Sequence, residues 1–228
     1  MVIVSGASGK IGKYLIDKYL PYENVVGTYY SKNCNVVDKQ NTYYHVDISD
    51  YASVNKFYND LNNQLKEITL INCAGISYNC YAHKSDPFEW KRVIDTNLLG
   101  VYHMIRAFLP EMRKQNYGRI INISSVVAQK PTPGASAYSA SKAALSGLIK
   151  SLCIENGSKN ITINNINLGY AKIGMGVAEV PLLYQELIIS QIPSQEYCDP
   201  EDIYNTIEYI RSTKYLNGSS IDLNGGLI

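Results

Sequence analysis

Long hydrophobic runs are missing from this 228-residue chain, and no apolar stretch approaches the ~18–20 residues of a membrane span. The opening Met1-Val2-Ile3-Val4-Ser5-Gly6 is too short for the apolar core of a signal peptide and runs straight into glycines. The expected compartment is the cytoplasm, with no membrane partner. An excess of one charge is missing too. The formal net charge is +1, which offers no general attraction to nucleic acid or an anionic bilayer. Cysteine is sparse and poorly spaced. Cys34, Cys73, Cys80, Cys153 and Cys198 are odd in number and contain no C-x-x-C, which argues against a disulfide framework and a zinc site. His45, His83 and His103 are scattered without metal spacing, so no metal is expected. Phenylalanine (3) and tryptophan (1) are scarce beside 20 tyrosines. A tyrosine-rich surface can stack bases, but the basic residues do not cluster around these, and compositional drift accounts for them.

What is present is an alternation of short apolar runs with helical periodicity. Val2-Ile3-Val4, Val25-Val26, Tyr43 to Val46, Thr69 to Asn72, Arg119 to Ile123, Ile161 to Ile166 and Ser220 to Leu223 read as seven strands. Between them, Ile11, Leu15, Ile16 and Leu20, then Val54, Phe57, Tyr58, Leu61 and Leu65, recur at helical spacing. Phe88 to about Arg113 reads as one long helix, and Tyr138 to about Asn156 as another. Asp199 is placed to cap a further helix with Pro200 in its first turn. This pattern predicts one α/β domain over residues 1–228, a doubly wound, Rossmann-like, seven-stranded parallel sheet with helices on both faces. Lys172 to Gln195, with Gly174, Gly176 and an apolar stretch from Val180 to Ile192, suits a lid over a pocket.

Between the first strand and helix lies Ser5-Gly6-Ala7-Ser8-Gly9-Lys10-Ile11-Gly12. Glycines allow close backbone approach to a pyrophosphate, and a helix N-terminus presents free N–H groups to it. Gly6, Ser8, Gly9, Lys10, Ile11 and Gly12 are therefore candidate cofactor-binding residues. An acid at the end of the second strand would bind the ribose 2′-hydroxyl of NAD. Thr28-Tyr29-Tyr30-Ser31-Lys32 stands there instead, with Glu23 before the strand and Asp38 well beyond it. A 2′-phosphate meets no carboxylate repulsion there, and Lys10, Ser31 and Lys32 are available to it. NADP(H) is favoured over NAD(H).

Tyr138-Ser139-Ala140-Ser141-Lys142 follows Ser124-Ser125 and sets a phenol and an ammonium four residues apart on one helix face. A free tyrosine titrates near pH ~10 and is a poor base at neutral pH. An ammonium within ~4–6 Å favours the phenolate. With a hydroxyl nearby to hold a carbonyl oxygen, this set passes a proton to or from a carbonyl or alcohol. Each residue alone has a plainer use, such as packing, capping or solvation, and of the two serines Ser124 is the one expected to cap a turn or helix; their combination points to chemistry.

Taken in order, these fragments resemble the short-chain dehydrogenase/reductase family, in its compact single-domain branch, over nearly the whole chain. Tyr138 and Lys142 match the family's Y-x-x-x-K, Ser125 its strand-five serine and Asn97 its helix asparagine. Asn72-Cys73-Ala74-Gly75 matches N-N-A-G, and Asn224-Gly225-Gly226 the C-terminal N-G-G. The resemblance implies cofactor contacts from Asp47 and Ile48, from Asn72, Ala74 and Gly75, and from Gly169, besides Tyr138 and Lys142. It also implies that Lys142 holds the nicotinamide ribose and that Asn97 positions a relaying water. Ser125, Tyr138, Lys142 and Asn97 form the expected catalytic set. The segments around Val26, Ser125 and Asn224 look most like bacterial 3-oxoacyl-carrier-protein reductases. A nucleotide-sugar or polysaccharide-biosynthesis reductase and a non-catalytic nucleotide-binding regulator are the alternatives. The implied partners are a small carbonyl or alcohol substrate and further copies of the chain, as a homodimer or homotetramer.

The chain departs from the family at four places. Lys10 replaces the middle glycine, with Gly9 one position earlier, a spacing closer to the extended, sugar-nucleotide branch. Cys73 replaces an asparagine, and Ile173 a threonine that contacts the cofactor. The stretch from Ser31 to Val46 is short for the helix usual there.

Overall fold

The computed structural model describes residues 1–31, 42–175 and 182–228. Lys32, Cys34, Asp38 and Gly176, together with most of the short stretch after Ser31, lie outside the described residues. The strands are β1 (Val2–Ser5), β2 (Val25–Tyr29), β3 (Tyr43–His45), β4 (Thr69–Asn72), β5 (Gly118–Ser125), β6 (Ile161–Leu168) and β7 (Ser220–Leu223). They form one sheet in the order β3-β2-β1-β4-β5-β6-β7, and every neighbouring pair is parallel. The order reverses beside β1, which opens a crevice at the carboxyl ends of the strands.

Because side chains alternate along a strand, consecutive apolar residues feed two separate cores. Leu70, Ile120 and Ile163 face α2 (Tyr51–Leu61), α4 (Gly100–Gln115) and α5 (Ser136–Asn156), meeting Phe57, Phe108 and Ile149. Ile71, Ile121 and Ile166 face the other way, onto α1 (Lys10–Tyr19) and α7 (Pro200–Ser212), meeting Leu15, Ile203 and Ile207. Burial of each such side chain stabilises the fold by ~1.5–3 kcal/mol. The doubly wound parallel architecture is thus the one expected. Asp199 caps α7 as expected, accepting from Glu201 N at 3.0 Å. Of the suggested lid, α6 (Leu182–Gln191) and its flanks are described, but residues 176–181 are not.

The single long helix expected from Phe88 is interrupted. Helix α3 (Pro87–Ile94) passes into a π-helical turn, Asp95–Leu99, before α4 begins. The extra residue per turn rolls Asn97 inward until it is wholly buried. There its side chain bonds to the backbone of Ile76 and to Ser141, outside its own helix.

A second unforeseen feature is a row of buried amides across the sheet. Asn72 Nδ2 donates to Asn122 Oδ1 (2.8 Å), and Asn122 Nδ2 donates to Asn165 Oδ1 (3.0 Å). Asn165 Nδ2 continues to Ser220 Oγ (3.3 Å). These four residues are partners in the strand register, so the row fixes the relative height of β4 to β7. Replacing Asn122 by Ala leaves the Asn72 donor and the Asn165 acceptor buried and unpaired. Urea denaturation of Asn122→Ala is expected to show a loss of about 2–5 kcal/mol; an unchanged midpoint would remove this role.

Candidate active site

A cleft of about 700 Å³ occupies the carboxyl ends of β1, β2 and β4. Its floor is the turn between β1 and α1, where Gly6, Ser8, Gly9, Lys10, Ile11 and Gly12 all line the space. Gly6 has φ +72°, and a Cβ there would lie 2.7 Å from Ala74 Cα, so only glycine lets this turn press against the segment leaving β4. Gly6 N donates to Thr28 Oγ1 (3.4 Å) and Ala7 N to Thr28 O (2.7 Å), which ties the turn to β2. Helix α1 starts with Gly9 at its cap and no side chain capping it. The N–H groups of its first turn, at residues lining the cleft, therefore lack intrahelical acceptors. This arrangement suits an anionic pyrophosphate.

The adenosine side is formed by Tyr29, Tyr30 and Ser31 after β2 and by Asp47, Ile48 and Ser49 after β3. No carboxylate stands from Thr28 to Ser31. Glu23 is engaged elsewhere, in an ion pair with Arg211. Asp47 lines the cleft and also holds its own turn, accepting from Ser49 N (2.9 Å) and Ser49 Oγ (2.6 Å). Ala74 and Gly75 belong to the wall, as does Cys73. Asn72 does not; its side chain is committed to the amide row. Gly169 also lies outside that wall. It donates to Leu223 O (2.9 Å), and its missing Cβ makes room for Asn224.

Behind the wall stand the residues expected to act chemically. A Cβ added at Gly75 would lie 3.6 Å from Lys142 Nζ and 3.3 Å from Asn97 Oδ1. Lys142 is buried, and Nζ donates to Ile123 O (2.7 Å). The same ammonium sits 5.7 Å from the centre of the Tyr138 ring, so i and i+4 do share a face. Asn97 Oδ1 accepts from Ile76 N (2.9 Å), while Nδ2 donates to Ile76 O (2.9 Å) and Ser141 Oγ (3.1 Å). It latches the segment after β4 onto α5. Ser141 Oγ donates in turn to Tyr138 O (2.7 Å).

The two serines divide their tasks differently from expectation. Ser125, not Ser124, takes the capping geometry, its Oγ accepting from Val127 N (3.3 Å) at the turn that follows β5. Ser124 is buried and donates to Lys142 O (3.3 Å). Alternation along β5 explains this, since Ser124 faces α5 and Ser125 is the last strand residue before the chain turns. Ser125 keeps its place at the strand end.

Burial lowers the Lys142 ammonium to about 8, and the neighbouring Cys73 opposes this slightly. Burial likewise pushes the Cys73 thiol up to about 12, with Lys142 pulling the other way. Sequence reasoning missed Ser141, although it lies within the Tyr138–Lys142 segment. It also missed Arg92 and Thr96, which line the far wall of the cleft four residues apart on one helix face. Among the described residues no cluster of metal-binding side chains occurs, and no helix is long and apolar enough to cross a membrane. The glycine turn, the open first helical turn and the size of the cleft fit a nicotinamide dinucleotide.

Comparison with known proteins agrees. A family model described as short chain dehydrogenase matches residues 1–180. An acetoacetyl-CoA reductase of Rhizobium meliloti is 40% identical over 159 residues, covering 69% of this chain and 66% of that protein. A 3-oxoacyl-[acyl-carrier-protein] reductase of Rickettsia felis is 31% identical over 231 residues, covering 99% of this chain and 95% of that protein. A solved structure from Agrobacterium tumefaciens, provisionally named gluconate dehydrogenase, superposes with a TM-score of 0.89 at 20% identity over 100% of this chain and 95% of that one. That last likeness speaks to the fold alone.

A lysine depressed in the folded state binds fewer protons than in the unfolded chain once the pH passes its folded value. Stability from Lys142 therefore rises as pH climbs from about 8 toward the unfolded value of 10.5. The Cys73 thiol works the opposite way above about pH 9. Between pH 8 and 9 the ligand-free protein is expected to gain about 1 kcal/mol relative to Lys142→Met. Chemical denaturation of both proteins at the two pH values measures this, and parallel pH profiles would refute it.

Proposed function

This chain belongs to the short-chain dehydrogenase family, oxidoreductases acting on CH–OH groups. From that premise we propose that it interconverts a ketone and a secondary alcohol on an acyl thioester, using NADP(H) in preference to NAD(H). The observation that carries this reading is the buried Lys142 ammonium, 5.7 Å from the Tyr138 ring and directly behind Gly75 of the cleft wall.

When bound, the nicotinamide dinucleotide supplies or accepts the hydride. The chain does the rest. The α1 N-terminus receives the pyrophosphate, and Ala74 and Gly75 form the wall along the dinucleotide. Tyr138 donates its phenolic proton to the oxygen of the ketone as that oxygen gains charge, and takes it back in the reverse direction. Ser125 donates a hydrogen bond to the same oxygen and fixes its position. Lys142 favours the phenolate electrostatically and holds the nicotinamide ribose. Asn97 acts from the π turn. Both Nδ2 hydrogens are committed, to Ile76 O and Ser141 Oγ, while Oδ1 accepts once, from Ile76 N, and keeps a lone pair for a water that returns protons to Lys142.

Preference for NADP(H) rests on the carboxylate-free stretch from Thr28 to Ser31 and on the cation at Lys10. The thioester class rests on the two reductases to which the chain is similar, both named for 3-oxoacyl thioesters.

Acetoacetyl-CoA with NADPH is the first assay. A higher kcat/KM with NADPH than with NADH is expected, and a clear NADH preference would overturn the cofactor choice. Turnover of nucleotide sugars but not thioesters would overturn the substrate class. Tyr138→Phe should lower kcat by about 10²-fold or more while NADPH still binds, as followed by calorimetry. Near-normal turnover in that variant would end the proposed mechanism.

A further inference from the structure

Only two of the described residues lining the cleft carry a permanent positive charge, Lys10 and Arg92. Lys10 opens α1, in the glycine turn that is tied to β2. Arg92 lies on α3, one turn before Thr96, which also lines the cleft. This helical wall is locked onto the residues that follow β3. A Cβ at Gly100 would sit 2.7 Å from Ile48 Cδ1, so the missing one makes room for that side chain, and His103 Nδ1 is 2.9 Å from Ile48 O. In this topology the adenosine half of a dinucleotide extends from the glycine turn toward β2 and β3. Arg92 lines the cleft together with Tyr30, Asp47 and Ile48, whereas Ser125, Tyr138 and Lys142 are not part of that lining, which favours the adenosine side for it.

Its edge already has an anionic partner at the exposed helix surface. Arg92 Nε and Nη2 donate to Glu89 Oε2 at 3.1 and 2.6 Å. A dianionic 2′-phosphate placed on this guanidinium would also face the Glu89 carboxylate. A neutral aromatic base would not, and the flat guanidinium face remains free to stack while its edge is held by Glu89.

We propose that Arg92 is an adenine clamp, a planar guanidinium that stacks on the base whether or not the ribose bears a 2′-phosphate. The assignment rests on the dinucleotide reading above and adds a positioning residue to it. Cofactor choice then lies with the β2 end and Lys10, and affinity common to both cofactors lies with Arg92.

Calorimetric titration of wild type, Arg92→Ala, Arg92→Lys and Arg92→Tyr with NADPH and with NADH tests this. Arg92→Ala should weaken both cofactors by the same factor, about 2- to 30-fold. Arg92→Tyr, planar but uncharged, should recover most of that loss, and Arg92→Lys, charged but not planar, should not. A loss confined to NADPH makes Arg92 a phosphate ligand and overturns the clamp. So does rescue by lysine without rescue by tyrosine, or unchanged binding in Arg92→Ala. If Arg92→Ala melts well below wild type, Arg92→Gln carries the same comparison. Wild-type protein that binds neither dinucleotide removes the oxidoreductase reading and the clamp with it, whereas intact wild-type binding with an indifferent Arg92→Ala removes the clamp alone.

Discussion

The rest of the site depends on one buried ammonium. Lys142 is held beneath the cleft wall by a single hydrogen bond to the Ile123 carbonyl. Its neighbours are placed to tolerate it. Ser124 bonds its backbone carbonyl and so fixes its turn of α5 against β5. Asn97 and Ser141 tie the segment after β4 to the same helix. Gly75 leaves the wall thin enough for the charge to be felt on the far side. Removing any of these moves the ammonium relative to the phenol, and the pair is useful only at close range because the interaction falls with distance and with exposure to water.

The sheet supplies the second condition. Parallel strands in the order found bring the ends of β1, β2, β3 and β4 to one rim, and the segments leaving them line the cleft. The amide row from Asn72 to Ser220 fixes the height of the right-hand half of that rim. The Gly6–Ala74 contact fixes the left-hand half against it. The glycine turn near the N-terminus and the Tyr138–Lys142 pair in the middle of the chain are far apart in sequence, yet their spacing is set by ladder hydrogen bonds, the amide row and the Gly6–Ala74 contact.

Much of this was legible in the sequence because it is periodic or local. Strands such as Leu70-Ile71 and Ile120-Ile121 are buried on both sides, and helices with Leu15, Ile16 or Ile203, Ile207 show a single apolar stripe. Tyr138 and Lys142 are four apart on one helix, so their proximity is a local fact. The features that escaped are non-local. A π turn at Asn97 is decided by the backbone of Ile76, 21 residues away. The exchange of roles between Ser124 and Ser125 depends on which face of β5 meets α5. The asparagines of the amide row look like ordinary polar strand residues until the register aligns them. Arg92 reads as a surface helix residue until its helix is set along the cleft.

The charge balance around Lys142 limits what can sit in front of it. Among the described residues no carboxylate forms an ion pair with it, and its described contacts are a carbonyl, a thiol and the face of a phenol. A buried cation without a counter-ion is costly, so it favours any nearby group that can become negative. Cys73 cannot serve at neutral pH, since burial has pushed its thiol up to about 12. Tyr138 is the other acid beside it, its ring centred 5.7 Å from the ammonium. Under the proposed mechanism, that uncompensated charge is what favours the phenolate. A carboxylate paired with Lys142 would have stabilised the protein and removed the driving force for that ionisation.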